Sequence, residues 1–476
     1  MQKTDLTKGA ITPALLKLAL PIMLTSFAQM AYNMTDMIWI GRIGSKAVAG
    51  AGTAGFYVWM GFAFILISKI GAEIGVSQSI GRKDKHSAVI FARNAVFLNI
   101  FSAIFYGLLI FFSRKYLIEF FDINDAEVIK MAETYLGIIA FGIPFMFLNP
   151  VLSGIYNGTG DSKTPFYINS SGLLLNIILD PLLIFGWGFF PRLEIAGAAI
   201  ATILSQSVVS VIFIFHLLSG RSNFKEFSLL QKPDFSKIFK IAKLGFPVAL
   251  QSGLFTSFAI LIAKIIAKWG PIPIAVQKVG AQIEALSWMT ASGYSSALSA
   301  FTGQNYGAGK WDRIGKGFIS GIASVSAVGI FATTVFLIFP RQIFSIFIPE
   351  AEAIRHGVVY LRILAISQLF MVWEITAAGA FNGIGKTIQP SVVSVLFNGL
   401  RVPGAMILSS AALLGLNGIW WSISLSSIFK GIILIIWFTF ILINHPDPCV
   451  RKQIMEKVFI WDFKYLRDKR GINGKL

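Results

Sequence analysis

Apolar residues run in stretches of spanning length along almost the whole chain, separated by short polar or glycine-rich breaks. They fall near residues 14–41, 47–70, 87–113, 131–152, 164–186 and 193–218, and again near 240–262, 272–297, 314–338, 355–377, 388–411 and 416–442. A helix needs about 20 mostly apolar residues to cross the hydrocarbon core of a bilayer, so the pattern predicts twelve transmembrane helices. Pro21, Pro144, Pro181, Pro247 and Pro403 lie inside them. Membrane helices accommodate such prolines because neighbouring groups re-satisfy the freed carbonyls.

The pattern is written twice. KLALPIMLTSF at Lys17 returns as KLGFPVALQSG at Lys243, and YLGIIAFGIPFMF at Tyr135 as YLRILAISQLFMV at Tyr360. YNGTGDSKTP at Tyr156 returns as FNGIGKTIQP at Phe381, and IAGAAIATILS at Ile195 as LNGIWWSISLS at Leu416. Each copy holds an even number of spans, so both start on the same side, related by an axis along the membrane normal. The expected fold is an all-α polytopic membrane protein of 12 helices in two six-helix lobes, a transporter architecture. The lobes are expected at 1–218 and 240–443, joined by a cytoplasmic linker at 219–239 and followed by a basic amphipathic tail at 444–476.

Composition sharpens this. Of 476 residues, 55% are hydrophobic and 13% charged, against about 25% charged in a soluble domain, which excludes a soluble enzyme carried on an anchor; no enzymatic activity is expected. The net charge of +18 is an orientation signal. Apart from Lys69, Arg93, Lys278, Arg362, Arg401 and Lys430, the basic residues lie in or near the breaks and span ends, 25 on the side that holds both termini and 10 on the other. That excess predicts cytoplasmic termini in the cell (inner) membrane. It also disposes of nucleic acid as a partner, because the one basic block, 451-RKQIMEKVFIWDFKYLRDKRGINGK, is interleaved with Val458, Phe459, Trp461, Phe463 and Leu466, as in a segment lying on anionic lipid. A single cysteine, Cys449, forbids an intramolecular disulfide, and four histidines form no metal motif. The first apolar stretch is too long for a signal peptide and is expected to be retained.

A carboxylate at mid-helix costs roughly 2.5–3.5 kcal/mol on the insertion scale, so each one demands a reason. Asp36 lies five residues before the end of the first span and Asp180 six before the end of the fifth, which puts both about 8–9 Å below the outer surface at ~1.5 Å per residue. Tyr32 and Asn176 each precede an aspartate by four residues, hence share its helix face. Thr202, on the sixth span, reaches a depth of about 13 Å. Two carboxylates, an amide and two hydroxyls in one layer suit H⁺ or Na⁺, and a Na⁺ would use Asp36, Asn176, Asp180 and Thr202. Glu284 is a candidate second coupling or substrate-binding acid. Glu374 is placed near a cytoplasmic end, and Glu73 and Glu133 at interfaces. The repeat sets Val402 opposite Asp180, with Arg401 beside it, so the acid layer belongs to the first lobe.

Two nucleotide-like patterns fail on context. GAGTAG at Gly50 fits GxGxxG, and AFNGIGKT at Ala380 misses a phosphate-binding loop at its first glycine. Both need a preceding strand. Here they sit in apolar spans, where small residues allow close helix packing.

ALPIMLTSFAQMAYNMTDMIWIGRIG at Ala19, GAEIGVSQSIGRKD at Gly71, YNGTGDSKTP at Tyr156 and NIILDPLLIFG at Asn176 resemble the multidrug and toxic compound extrusion (MATE) family, in its prokaryotic DNA-damage-inducible-type branch. The resemblance implies a monomeric exporter that exchanges drugs or organic cations for H⁺ or Na⁺ by alternating access, with no cofactor. It places Tyr32, Asp36, Asn157, Asn176, Asp180 and Thr202 in one network. An acid that another branch carries after the proline of the seventh span is absent from PVALQSGLFTSF at Pro247. A flippase for lipid-linked sugars, of a related fold, is the alternative. It calls for a strongly cationic cavity, whereas Lys69, Arg93, Lys278, Arg362, Arg401 and Lys430 are expected to be dispersed.

Overall fold

The computed structural model describes residues 5–188, 190–219, 227–228, 231–410 and 412–460. Among these, the regular elements are helices: α1 (Ile11–Gly41), α2 (Ser45–Gly81), α3 (Lys85–Glu119), α4 (Ala126–Gly158), α5 (Lys163–Phe185), α6 (Glu194–Leu218), α7 (Phe235–Ala267), α8 (Pro271–Gly307), α9 (Trp311–Ile338), α10 (Pro340–Phe347), α11 (Ala351–Gly383), α12 (Ile388–Leu408), α13 (Leu416–Ile443) and α14 (Pro448–Ile454). The short α10 and α14 add to the twelve expected spans. Eleven of the long helices are apolar enough to cross a membrane. The exception is α8, whose apolar run is diluted by Gln277, Lys278, Gln282 and Glu284. The protein is a multi-pass membrane protein.

The helices overrun the apolar windows. Both α2 and α8 have 37 residues, about 55 Å at 1.5 Å per residue. Helix α2 runs unbroken past Lys69 and Glu73, and Glu73 is 2% exposed, packed inside the unit eight residues before the helix ends. GAGTAG likewise lies within α2 and is no phosphate loop. At the other end of this helix, Lys46 pairs with Asp125 at 3.0 Å and with Glu127 at 2.6 Å. Asp125 also caps α4, accepting the backbone N–H of Glu127 and Val128. The Lys46 contact and these N–H groups hold the Asp125 carboxyl below its ordinary value of 3.8.

Packing divides the chain at other points than the repeat does. One unit runs from Leu20 to Gly253, and the other holds Leu254 onward together with the stretch ending at Ala19. In the first, α4 packs against α2, α3 and α6, and α5 against α6. In the second, α11 packs against α8, α9 and α13, and α12 against α13.

The repeat reappears as shared packing solutions. A Cβ on Gly154 or Gly158 of α4 would lie 3.3 Å from the carbonyl oxygen of Lys69 or 2.9 Å from that of Glu73 on α2. In the second unit, a Cβ on Gly379 or Gly383 of α11 would lie 2.1 Å from the carbonyl oxygen of Ser295 or 2.5 Å from that of Ser299 on α8. Glycine here lets two backbones touch, the means by which membrane helices associate without a hydrophobic drive. A neighbouring contact is kept with its partners exchanged. In the first unit Gly75 of α2 sits under the ring of Phe91 of α3; in the second, Phe301 of α8 sits over Gly317 of α9.

The stretch before α1 is clamped to the ends of α8 and α9. Leu6 is fully buried, and its carbonyl accepts from Asn305 Nδ2 at 3.1 Å and Arg313 Nη2 at 3.2 Å. Arg313 also donates to the carbonyls of Lys8 and Gly9, and Lys310 Nζ to that of Thr7.

In the described half of the tail, α14 packs against α9 and α13. Ile454 is fully buried and Val458, in the wider turn that follows, covers Gly315 of α9. Arg451 and Lys452 point outward. The aromatic residues Trp461 and Phe463 lie outside the described residues.

Candidate functional site

Three helices of the first unit deliver the acid layer. Tyr32 and Asp36 stand one turn apart on α1, and Asn176 and Asp180 one turn apart on α5. Pro181 follows Asp180 inside α5 and lacks the N–H that would bond the carbonyl four residues back, loosening the turn that carries the carboxylate. Helix α5 ends on Gly186 in the left-handed conformation. The backbone N–H of Leu193 then returns to the carbonyl of Leu183 at 3.0 Å, so α6 starts against the end of α5 and brings Thr202 to the layer.

Asn176 and Asp180 are fully buried, Thr202 and Tyr32 nearly so, and Asp36 is half-buried. Asn176 Nδ2 donates to Asp180 Oδ1 at 3.0 Å. The charges of Asp36 and Asp180 interact with each other, and both reach Tyr32. Five buried oxygens here have no hydrogen-bond partner: Tyr32 Oη, Asp36 Oδ1, Asn176 Oδ1, Asp180 Oδ2 and Thr202 Oγ1. Orphaned buried oxygens are rare in folded proteins and call for an explanation such as a bound ion. Oxygen atoms are the ligands that hard cations take. The layer brings together two carboxylates, an amide and two hydroxyls.

Asn157 does not belong to this layer. It lies one residue before the end of α4, 22 positions beyond Tyr135, or about 33 Å along the axis. Its Oδ1 is buried and unpartnered too, in a different part of the unit. The α4 residue at the site is Tyr135, whose ring is buried and whose hydroxyl feels Asp36, Tyr32 and Asp180. A count from the start of α4 finds it: nine residues in, about 14 Å deep, matching Thr202 on α6. Beside Tyr32 a small cleft opens among Thr25, Gln29, Asn169 and Gln206, polar residues on the side of the layer nearer the start of α1.

The second unit holds charges of both signs. Glu374 is not at a helix end; it lies inside α11, buried, with Lys430 of α13 at 2.9 Å and the Ser394 hydroxyl at 2.9 Å. Lys430 also donates to Asn398 Oδ1 at 3.1 Å. Glu284 of α8 accepts from the Tyr360 hydroxyl at 3.1 Å. Arg401 of α12 donates to the hydroxyls of Ser426 and Ser427, and its charge is felt by both glutamates. Arg401 and Lys430 therefore share one neighbourhood rather than being dispersed.

Comparison with known proteins agrees with the repeat. The MatE family model matches residues 21–182 and 247–407, once in each copy and over about two thirds of the chain. A probable multidrug resistance protein NorM of Thermotoga maritima is 29% identical over 433 residues, spanning 90% of this chain and 92% of its own. The probable multidrug resistance protein YpnP of Bacillus subtilis is 27% identical over 433 residues, 90% of this chain and 95% of its own. Among solved structures, a MATE protein in the bent conformation superposes with a TM-score of 0.86 at 21% identity, covering 96% of this chain and all of that one. With two matched repeats and relatives aligned over nearly their full length, the chain belongs to the MatE family.

Proposed function

We propose that this protein is a secondary multidrug exporter that exchanges drugs or organic cations for H⁺ or Na⁺. The observation that carries the reading is the set of buried, unpartnered oxygens around Asp36 and Asp180 in a unit built for the membrane. The names of the Thermotoga and Bacillus relatives support drug export over lipid-linked sugar flipping. The protein is a transporter and not an enzyme.

In this reading the inward-moving ion enters the acid layer from outside and cancels a charge that the membrane interior penalises. A neutral layer and a charged one favour different packings of α1, so occupancy shifts the equilibrium between outward- and inward-open states. Pro21 of α1 is the natural bending point. Each net elementary charge moved inward per cycle at 100 mV contributes about 2.3 kcal/mol, enough for tens-fold accumulation of a neutral drug outside. The protein works as a monomer in the inner membrane with cytoplasmic termini, in line with the 25 to 10 split of basic residues, and the basic side of α14 faces anionic lipid.

The test is efflux from proteoliposomes with pH and sodium gradients imposed separately, for wild type and for Asp36→Asn and Asp180→Asn. Both variants should insert normally and export nothing; wild-type rates from both would overturn the reading.

A further inference from the structure

The stretch ahead of α1 is held through its backbone as well as by the buried Leu6 side chain. Arg313 commits its whole guanidinium to this segment. Its Nη2 donates to the carbonyls of Leu6 and Lys8 at 3.2 and 3.1 Å, its Nη1 to that of Gly9 at 3.0 Å, and its Nε to Asn305 Oδ1 at 3.2 Å. Asn305 is fully buried, and its Nδ2 joins the carbonyl of Leu6 to that of Phe301 on its own helix. Lys310 Nζ takes the carbonyl of Thr7 at 2.8 Å. The segment is turned to fit: the N–H and hydroxyl of Thr7 fold back on Asp5 Oδ1 at 2.9 and 2.7 Å, and Gly9 adopts the left-handed conformation at φ +70°. At the start of α1, the hydroxyls of Thr12 and of Ser320 on α9 meet at 2.8 Å.

Helix α1 changes unit along its length. Its residues up to Ala19 belong with the second unit, where Leu15, Leu18 and Ala19 are almost fully buried, and from Leu20 on it belongs with the first. Tyr32 and Asp36, its contribution to the acid layer, lie about 18 and 24 Å further along the axis at 1.5 Å per residue. The change of unit coincides with the softest part of the helix. Pro21 removes one backbone hydrogen bond, and in the next turn the hydroxyls of Thr25 and Ser26 reach back to the carbonyls of Pro21 at 2.9 Å and Ile22 at 3.3 Å, a pattern that bends helices.

A rod fixed at one end and displaced at the other bends where it is softest, whereas a rod with a loose end slides and transmits nothing. We infer that Arg313 is a coupling residue: by fastening the start of α1 to α8 and α9, it makes the helix carry a change of ion occupancy in the first unit into the second. Arg313 holds neither ion nor drug in this scheme and acts by positioning α1. Arginine suits the task because one planar, permanently charged fork serves several carbonyls at once, which the single ammonium of a lysine does not. The inference rests on the ion-exchange reading and adds the part that transmits it.

The test uses the full chain with Cys449→Ser in proteoliposomes. Three quantities are read: ethidium efflux driven by an imposed pH or sodium gradient, dissipation of that gradient without ethidium, and backbone hydrogen exchange at residues 11–19. Arg313→Gln should lower efflux about tenfold, the scale for losing charged hydrogen bonds, speed exchange at 11–19 by about the same factor, and leave the half-maximal ion concentration within about twofold. The drug-free leak should rise severalfold, and Arg313→Lys should fall between. Thr12→Cys with Ser320→Cys sets two thiols where the hydroxyls now meet, close enough for a disulfide. Oxidising that pair in the Arg313→Gln background should restore efflux and stop the leak, and a reductant should reverse both. A merely structural role would lower efflux without a leak and would not answer to the disulfide. Wild-type efflux and leak in Arg313→Gln, or a loss that the disulfide does not restore, overturns the inference. The two readings fail separately. Unchanged hydrogen exchange at 11–19 in Arg313→Gln overturns the anchor whatever is exported, whereas a wild type that moves ethidium with neither gradient overturns the exchange reading alone.

Discussion

The amide of Asn176 donates to Asp180 at 3.0 Å, while its own carbonyl oxygen and the second carboxylate oxygen of Asp180 stay buried and unpartnered. Asn176 thus orients one carboxylate oxygen and, with the Asp180 atom that remains, offers two more to a cation. Asn176→Ala should raise the ion concentration for half-maximal efflux about tenfold, from the loss of one hydrogen bond to a charged group. Tyr135→Phe should act in the same direction, and Asn157→Ala should leave ion dependence unchanged, since it stands about 33 Å along α4 from Tyr135. An Asn157 variant with altered ion dependence and a silent Tyr135→Phe would reverse the assignment.

Lys430 and Glu374 should behave as a structural pair. Removing one partner leaves a buried charge alone, a loss of about 3–5 kcal/mol, whereas replacing both by apolar groups of similar size is often neutral. Glu374→Gln and Lys430→Met should each lower the thermal unfolding temperature in detergent, and the double variant should recover most of it. Additive losses would show that the two do not act as a unit.

The exchanged contact between Gly75–Phe91 and Phe301–Gly317 invites a direct swap. Phe91→Gly should destabilise by about 3–5 kcal/mol through the void it opens, and Gly75→Phe alone by overpacking against the Phe91 ring. The double variant copies the second unit's arrangement into the first and should be more stable than either single one. A double-mutant cycle on unfolding temperature measures the coupling; no coupling would mean that the two sites are not interchangeable.

Asp125 should give a pH-dependent contribution of known sign. Its folded-state carboxyl is held below 3.8 chiefly by Lys46 and by the N–H groups it caps. Its stabilisation is therefore present above that value and disappears as the pH falls through the lowered one. The stability difference between wild type and Asp125→Asn should be constant from about pH 5 to 8 and shrink below about pH 4. A difference that grows on acidification would contradict the contact.

Much of the fold was legible because a bilayer requires long apolar helices and a duplicated sequence announces itself. The layer of Tyr32, Asp36, Asn176 and Asp180 was legible for a local reason: four-residue spacings fix a shared face, and rise per residue fixes depth. Tyr135 escaped because an aromatic residue in an apolar run reads as packing, and its partners lie on other helices. Asn157 was misplaced because resemblance carries residue identity without depth, and only the unbroken length of α4 reveals the distance. The pairing of Glu374 with Lys430, 56 positions apart, is set by how α11 meets α13, which no local pattern encodes. The polar run in α8 lowers its hydropathy below that of the other long helices, yet its flanking apolar residues still mark 272–297 as a span.

The clamp on Leu6 has a bearing on biogenesis. Its carbonyl waits for Asn305 and Arg313, 299 and 307 residues downstream. At about 5–20 residues per second of synthesis, roughly 15–60 s separate the emergence of the two sides of that contact. During that interval the stretch ahead of α1 has no seat, so a segment made before α1 is fastened only after α9 has been made. A ribosome stalled within the second repeat would leave this segment loose, and protease resistance at Leu6 would serve as a timer for completion of the second unit.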